Sequence, residues 1–256
     1  MSDLRISRED GVLRLTFDRP DHLNALSGEM VLALLEELRG AAASDDVRVV
    51  VLTGEGAAFS AGADVAGEEA QERYDASSVD GANLVVRSIT DLDKPVVCGL
   101  NGVAAGVGMS IALACDLVVA TESAALTLGF TKLGLMPDGG ASALVPASVG
   151  RAMAMRLALL SDVLGAREAF AAGLVSHVLP DDEYAAGLDK IVRRLATGAP
   201  LALTATKRAV NAATLTALED TFQRERAGQS VLLRTEDVRE GMRAFGEKRR
   251  PEFHGR

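Results

Sequence analysis

Tryptophan is absent from this sequence, and aromatic residues together make up only 4% of it. With 48% hydrophobic residues nonetheless present, the core has to be assembled mainly from Ala, Val and Leu. Cysteine is nearly absent as well. Cys98 and Cys115 both sit in apolar runs and read as buried free thiols in a reducing compartment, not as a disulfide or metal site. His22 and His254 stand in polar sequence without metal-ligand spacing. An excess of positive charge is also missing. Lys and Arg number 27 against 36 Asp and Glu, and the resulting net charge of -9 argues against a nucleic-acid groove or an anionic membrane surface. Any polyanionic ligand would need a local cluster of positive charge.

The N-terminal MSDLRISRED lacks the apolar core of a signal peptide, so a cytoplasmic location is expected. Residues 95–115 form an uncharged run long enough to span a bilayer. Asn101-Gly102 interrupts it, and Gly99, Gly106 and Gly108 weaken any continuous helix. It reads as a buried strand, a turn and a buried helix starting at Met109.

Leu13, Leu15 and Phe17 alternate with polar residues after Asp10-Gly11, the pattern of the second arm of a hairpin. Ser27 fits an N-cap before a helix carrying Val31, Leu34, Leu35 and Leu38 at helical spacing. Residues 48–53 (RVVVLT), 94–100 (KPVVCGL) and 116–120 (DLVVA) are short, nearly continuous apolar strands of the kind buried on both faces. Strand and helix patterns alternate to about residue 180, which predicts an α/β architecture. The charged segment 64–75 reads as a solvated loop or short helix. Beyond Pro180 the pattern is helical only, over 182–197, 201–213, 215–232 and 235–247. A boundary near residue 198 divides a core (1–197) from a helical tail (198–256) that can pack on the core or on another subunit.

Three segments have the chemistry of a site. Residues 59–64 (FSAGAD) follow a strand; small residues there let a ligand approach the main chain and leave N–H groups to donate, although a simple tight turn has the same composition. Residues 101–108 (NGVAAGVG) form a glycine-rich passage from strand to helix, with unsatisfied N–H groups and the positive end of a helix dipole. Together the two loops can supply a pair of main-chain donors to a thioester oxyanion. Asp138 is a lone carboxylate in the apolar, glycine-rich 133–140. It fits either the N-cap of a helix starting near Ala141 or a base.

In this order and spacing the segments resemble the crotonase (enoyl-CoA hydratase/isomerase) superfamily. Arg19-Pro20 with Asn24-Ala25-Leu26 is similar to its N-terminal motif. The segment 165–180 is similar to the one closing its core, and Phe245, Lys248, Arg249, Pro251 and Phe253 to its C-terminal signature. The resemblance covers nearly the whole chain. It implies a spiral of ββα units and a C-terminal helical trimerisation region, hence a homotrimer or dimer of trimers. It also implies an acyl-coenzyme A substrate, coenzyme A entering as part of the thioester, and no permanently bound cofactor or metal. By position, Ala63 and Val107 N–H would form the oxyanion hole. Many members have glycine where Val107 stands, so the acyl pocket is narrower here. Ala61, Gly106 and Asp64 would meet the coenzyme A moiety, and Phe245 and Lys248 would reach it from the tail, across a subunit interface. Residues 66–90 would shape the acyl pocket.

Two departures set the expected chemistry. Where a hydratase of this superfamily carries its two glutamates, this chain has Ser110 and Phe130. Asp138 instead resembles the acidic residue of the Δ3,Δ2-enoyl-CoA isomerases and of the ring-opened epoxide isomerases of aromatic-acid degradation. An isomerase with Asp138 as its single base is expected. A 2-enoyl-CoA hydratase and a non-catalytic acyl-CoA-binding homologue with Asp138 as a helix cap are the alternatives. From another class, Gly108-x-Ser110 with His177 is near a hydrolase elbow, but its last glycine is missing and Ser110 lies within the helix, with His177 reading as structural. A dinucleotide-binding reading of Gly106-x-Gly108 fails because Ile111 stands at the third glycine.

Overall fold

The computed structural model describes residues 3–64 and 75–256. The expected hairpin is β1 (Leu4–Glu9) against β2 (Val12–Phe17), antiparallel. Asp10 and Gly11 both take positive φ between them, as the tightest hairpin turns require. Helix α1 (Gly28–Ala43) begins where expected, the Ser27 hydroxyl accepting the Met30 N–H.

A strand–strand–helix unit then recurs. β3 (Val49–Gly54) and β4 (Ala58–Ser60) precede α2 (Ala76–Thr90). β5 (Val96–Leu100) and β6 (Val103–Ala105) precede α3 (Val107–Ala114). β7 (Leu117–Thr121) and β8 (Ala125–Thr127) precede α4 (Ala141–Leu160), which Gly150 breaks at φ +72°. Strands β9 (Leu164–Gly165) and β10 (His177–Leu179) flank the short α5 (Ala166–Ala172). The first strand of each unit enters a six-stranded sheet of order β1-β2-β3-β5-β7-β10, parallel except for the β1–β2 hairpin. The second enters a four-stranded sheet of order β4-β6-β8-β9. Each unit thus advances one strand along both sheets, which is the expected spiral of ββα units. Among the described residues α4 alone has the length and apolar composition of a membrane span.

The unbroken apolar strands are explained by two cores. Val50, Leu52, Val96 and Cys98 face the main core with Leu34, Leu38 and Ile89. Their alternates Val49, Val51, Val97 and Val119 face Leu188 and Val192 of α6 (Tyr184–Ala196), so both faces of the larger sheet are covered. Cys98 and Cys115 are buried free thiols, as expected, and burial pushes the Cys98 thiol well up.

The tail forms the expected helices α7 (Pro200–Thr214), α8 (Leu218–Leu232) and α9 (Glu236–Gly246). It packs on its own core. Lys207 of α7 is buried, its Nζ 2.9 Å from Asp116 Oδ2, and it donates to the carbonyls of Ile89 and Lys94. One expectation needs correction: the passage 101–108 contains β6, and α3 starts at Val107, not Met109. Gly106, at φ +54°, turns the chain directly from strand into helix. The charged segment read as a loop or short helix falls largely on residues 65–74, which lie outside the described residues.

Candidate active site

Two parallel strands of the smaller sheet set the donors. β4 and β6 are in register at Ser60 and Ala104, and Ala63 and Val107 each follow three residues later. Among the described residues neither the Ala63 nor the Val107 N–H has a hydrogen-bond partner. Val107 is the first residue of α3, so its N–H has no intrahelical acceptor and the helix dipole adds to its positive character.

The N-terminal motif braces the first of these loops. Buried Asn24 donates from Nδ2 to the carbonyls of Glu55 (2.9 Å) and Ala58 (2.7 Å), and its Oδ1 accepts the Arg19 N–H. The Ser60 hydroxyl donates to the Asn24 carbonyl and accepts the Gly62 N–H. The Arg19 guanidinium donates to the Ala25 carbonyl (2.7 Å) and to Asp64 Oδ2 (3.1 Å). Motif and loop therefore form one rigid unit.

A cavity of about 630 Å³ brings Ala63, Val107 and Asp138 together. Leu26, Val31, Leu35, Val85 and Ile111 make its walls apolar, while Arg19, Asp64, Ser77, Ser78 and Asp80 add polar groups. The described part of the expected pocket-shaping segment, in α2, does line it. Among the described residues, Asp64 is engaged by Arg19, and Asp80 by Arg226, whose Nε and Nη2 lie 2.6 and 3.0 Å from it.

Asp138 is fully buried, and it is not the cap of α4. The cap position is Gly140, which makes no side-chain cap. The free N–H groups at that helix end are taken by Glu225 of α8, whose carboxylate accepts from Gly140 (2.7 Å) and Ser142 (2.8 Å). Burial pushes the Glu225 carboxyl up to about 7; the two backbone donors oppose that shift, and the neighbouring Asp138 charge adds to it. Asp138 Oδ2 accepts instead from Gln229 Nε2 at 2.8 Å, and its backbone carbonyl accepts from the Ser110 hydroxyl at 2.8 Å. Ser110 thus holds the backbone of Asp138, and Phe130 is a buried aromatic beside Gly106. Neither supplies a carboxylate.

Other expected contacts are absent from the cavity. Ala61 N–H is spent on the Leu23 carbonyl and Gly106 N–H on Thr127, so neither backbone donor is open to a ligand. Phe245 and Lys248 are exposed at the end of α9 and do not line this cavity within the chain. His177 lies exposed on the edge strand β10 with Ser176 Oγ 3.1 Å from its ring, in keeping with the structural reading, and no Ser110–His177 pair forms. Glu225 and Gln229 escaped the sequence reading because a polar residue in an amphipathic tail helix looks like surface. Their spacing of four, facing inward, was the only available signal.

The family model described as enoyl-CoA hydratase/isomerase matches residues 7–256. The chain is 39% identical to a 1,2-epoxyphenylacetyl-CoA isomerase of Escherichia coli over 97% of both proteins. It is 38% identical to a 2,3-dehydroadipyl-CoA hydratase of the same organism over the whole of both. A crystal structure of an enoyl-CoA hydratase from Mycobacterium avium subsp. paratuberculosis superimposes with a TM-score of 0.94, at 46% identity and 99% coverage of both chains.

Proposed function

The chain belongs to the enoyl-CoA hydratase/isomerase family and has the crotonase fold, and from that premise we propose that it shifts the double bond of an enoyl-CoA with Asp138 as its base. The observation that carries this reading is the shared cavity of Asp138 with the Ala63 and Val107 N–H groups, while Ser110 and Phe130 replace the hydratase glutamates.

The thioester carbonyl oxygen sits between the Ala63 and Val107 N–H groups. Asp138 takes a proton from C2 of a 3-enoyl thioester, and the C–H electron pair delocalises onto that oxygen as a dienolate. The two donors stabilise the charge as it forms. The Asp138 carboxylic acid then returns the proton to C4, which leaves the double bond between C2 and C3. One group that takes and returns a proton suffices, whereas hydration also needs an activated water. The acyl chain lies against Leu26, Val31, Leu35, Val85 and Ile111, which suits an apolar group. Coenzyme A, present only as part of the substrate, passes Asp64 and the 61–63 backbone, with Phe245 and Lys248 meeting it from a neighbouring subunit. Exposed Leu201, Val210, Val231 and Phe245 in the tail support its role in assembling a homotrimer or dimer of trimers.

The names of the hydratase relatives favour a second reading, hydration of a 2-enoyl-CoA. Solvent deuterium exchange into a 3-enoyl-CoA, run beside 2-enoyl-CoA hydration, separates the two. Isomerisation lost in Asp138→Asn with coenzyme A binding intact supports the proposal. Hydration proceeding equally in both proteins overturns it. Acyl-CoA binding without either reaction supports a non-catalytic homologue.

A further inference from the structure

Helix α8 brings two buried polar side chains to the segment that carries Asp138, one on each side of it. Gln229 is fully buried, and its Oε1 accepts the Met136 N–H at 3.2 Å. That bond fixes which end of the amide faces which way, so Nε2 is directed at Asp138 Oδ2, 2.8 Å away. One turn earlier Glu225 grips Gly140 and Ser142. The helix itself is clamped to α2 by two bidentate pairs, Arg87 with Glu219 and Arg226 with Asp80. Asp80 also lines the cavity. The base and the acyl wall are therefore attached to one rigid helix.

We propose that Gln229 is a positioning residue for Asp138: it holds one carboxylate oxygen in place and favours the anionic form that takes the substrate proton. The proposal rests on Asp138 being the base. Burial and a like charge nearby both disfavour a carboxylate, and the groups facing Asp138 include such a charge. Glu225 approaches from α8, and Arg19, Asp64 and Asp80 line the same cavity. A donated amide N–H offsets these effects without adding a positive charge that would make the base too weak. Because both ends of the amide are used, its side chain cannot rotate away without breaking a buried bond.

The test compares wild type, Gln229→Leu, Gln229→Glu and Asp138→Asn with a 3-enoyl-CoA across pH. The carboxyl infrared band of Asp138, assigned by its loss in Asp138→Asn, is titrated in each. In Gln229→Leu, kcat should fall roughly ten- to a hundredfold with KM changed less than about twofold, as for one bond to a buried charged group. The acid limb of the rate profile and the Asp138 band should both move upward by about one pH unit. Leucine also removes the acceptor of Met136 N–H. Gln229→Glu retains it, so the test survives if the leucine variant does not fold. Its two carboxyl groups would share a proton, splitting the acid limb into two steps. A lowered melting temperature with wild-type acid limb, kcat and infrared titration in either variant overturns the proposal. Failure of the base assignment shows separately, as isomerisation that persists in Asp138→Asn. Even then, an Asp138 band that titrates as in wild type in both Gln229 variants refutes the positioning role.

Discussion

Gly62 and Gly106 stand back to back at the junction of the two donor loops. A Cβ on Gly62 would lie 2.7 Å from the Ala105 carbonyl oxygen and 3.5 Å from Gly106 Cα. Their closeness holds the Ala63 and Val107 N–H groups to one cavity, and Gly62 has φ +94°, which L side chains rarely adopt.

Gly62→Ala should therefore cost stability and activity together. Backbone strain and the clash with a carbonyl predict a loss of about 2 kcal/mol or more, read by urea denaturation. Gly40→Ala, within α1 and with open space around it, should instead stabilise by about 0.5–1 kcal/mol. Equal effects at the two sites would show that the loop packing is not tight.

Lys207→Met should destabilise the protein by about 1–3 kcal/mol, because it strands the buried Ile89 carbonyl and takes the cation from Asp116, whose side chain keeps 21% of its exposure. Burial already raises the Asp116 carboxyl, with Lys207 as the main opposing influence. Adding Asp116→Asn should recover much of the loss, and a double-mutant cycle on denaturation free energies measures it. Strictly additive losses would mean that the pair does not couple.

Glu225 makes stability depend on pH. Its folded value of about 7 lies above the ordinary 4.5, so the folded state holds this proton more tightly than the unfolded chain. Its contribution is fully present below about pH 4.5 and is lost as pH rises through about 7. Glu225→Gln should flatten that part of the profile of melting temperature against pH. A profile identical to wild type would show that Glu225 is already ionised across this range.

Ser110→Ala removes the hydroxyl that holds the Asp138 carbonyl. A loss of about 0.5–1.5 kcal/mol is expected from one buried hydrogen bond, since the carbonyl still accepts the Ala141 N–H at 3.3 Å. If Asp138 is the base as proposed, kcat should fall with it while KM holds, because the Asp138 backbone moves and the apolar cavity walls do not. An unchanged kcat would show that the Ser110 hydroxyl does not position Asp138.

Much of this architecture was legible in local sequence because its causes are local. Alternation in residues 13–17, the Ser27 cap and the apolar strands at 48–53, 94–100 and 116–120 each became the expected element. The small-residue loops at 59–64 and 101–108 were legible for a related reason: small residues and a turn are written in a few consecutive positions. The start of α3 was misplaced by two residues because β6, a strand of three residues, is too short to leave a periodic signal.

Asp138 marks where local information ended. Its segment alone fits a helix cap as well as a base, and the cap is excluded by Glu225, 87 residues further along the chain, while Gln229, 91 residues on, takes the Asp138 carboxylate. Once Glu225 supplies the cap, the aspartate is released to face the cavity. The sequence by itself determined the longer strands, most of the helices and the two small-residue loops, since these follow from neighbouring residues. Only the tertiary structure decided that Asp138 faces the cavity and does not cap α4, because burial, like-charge proximity and a fixed hydrogen bond exist only when distant helices pack.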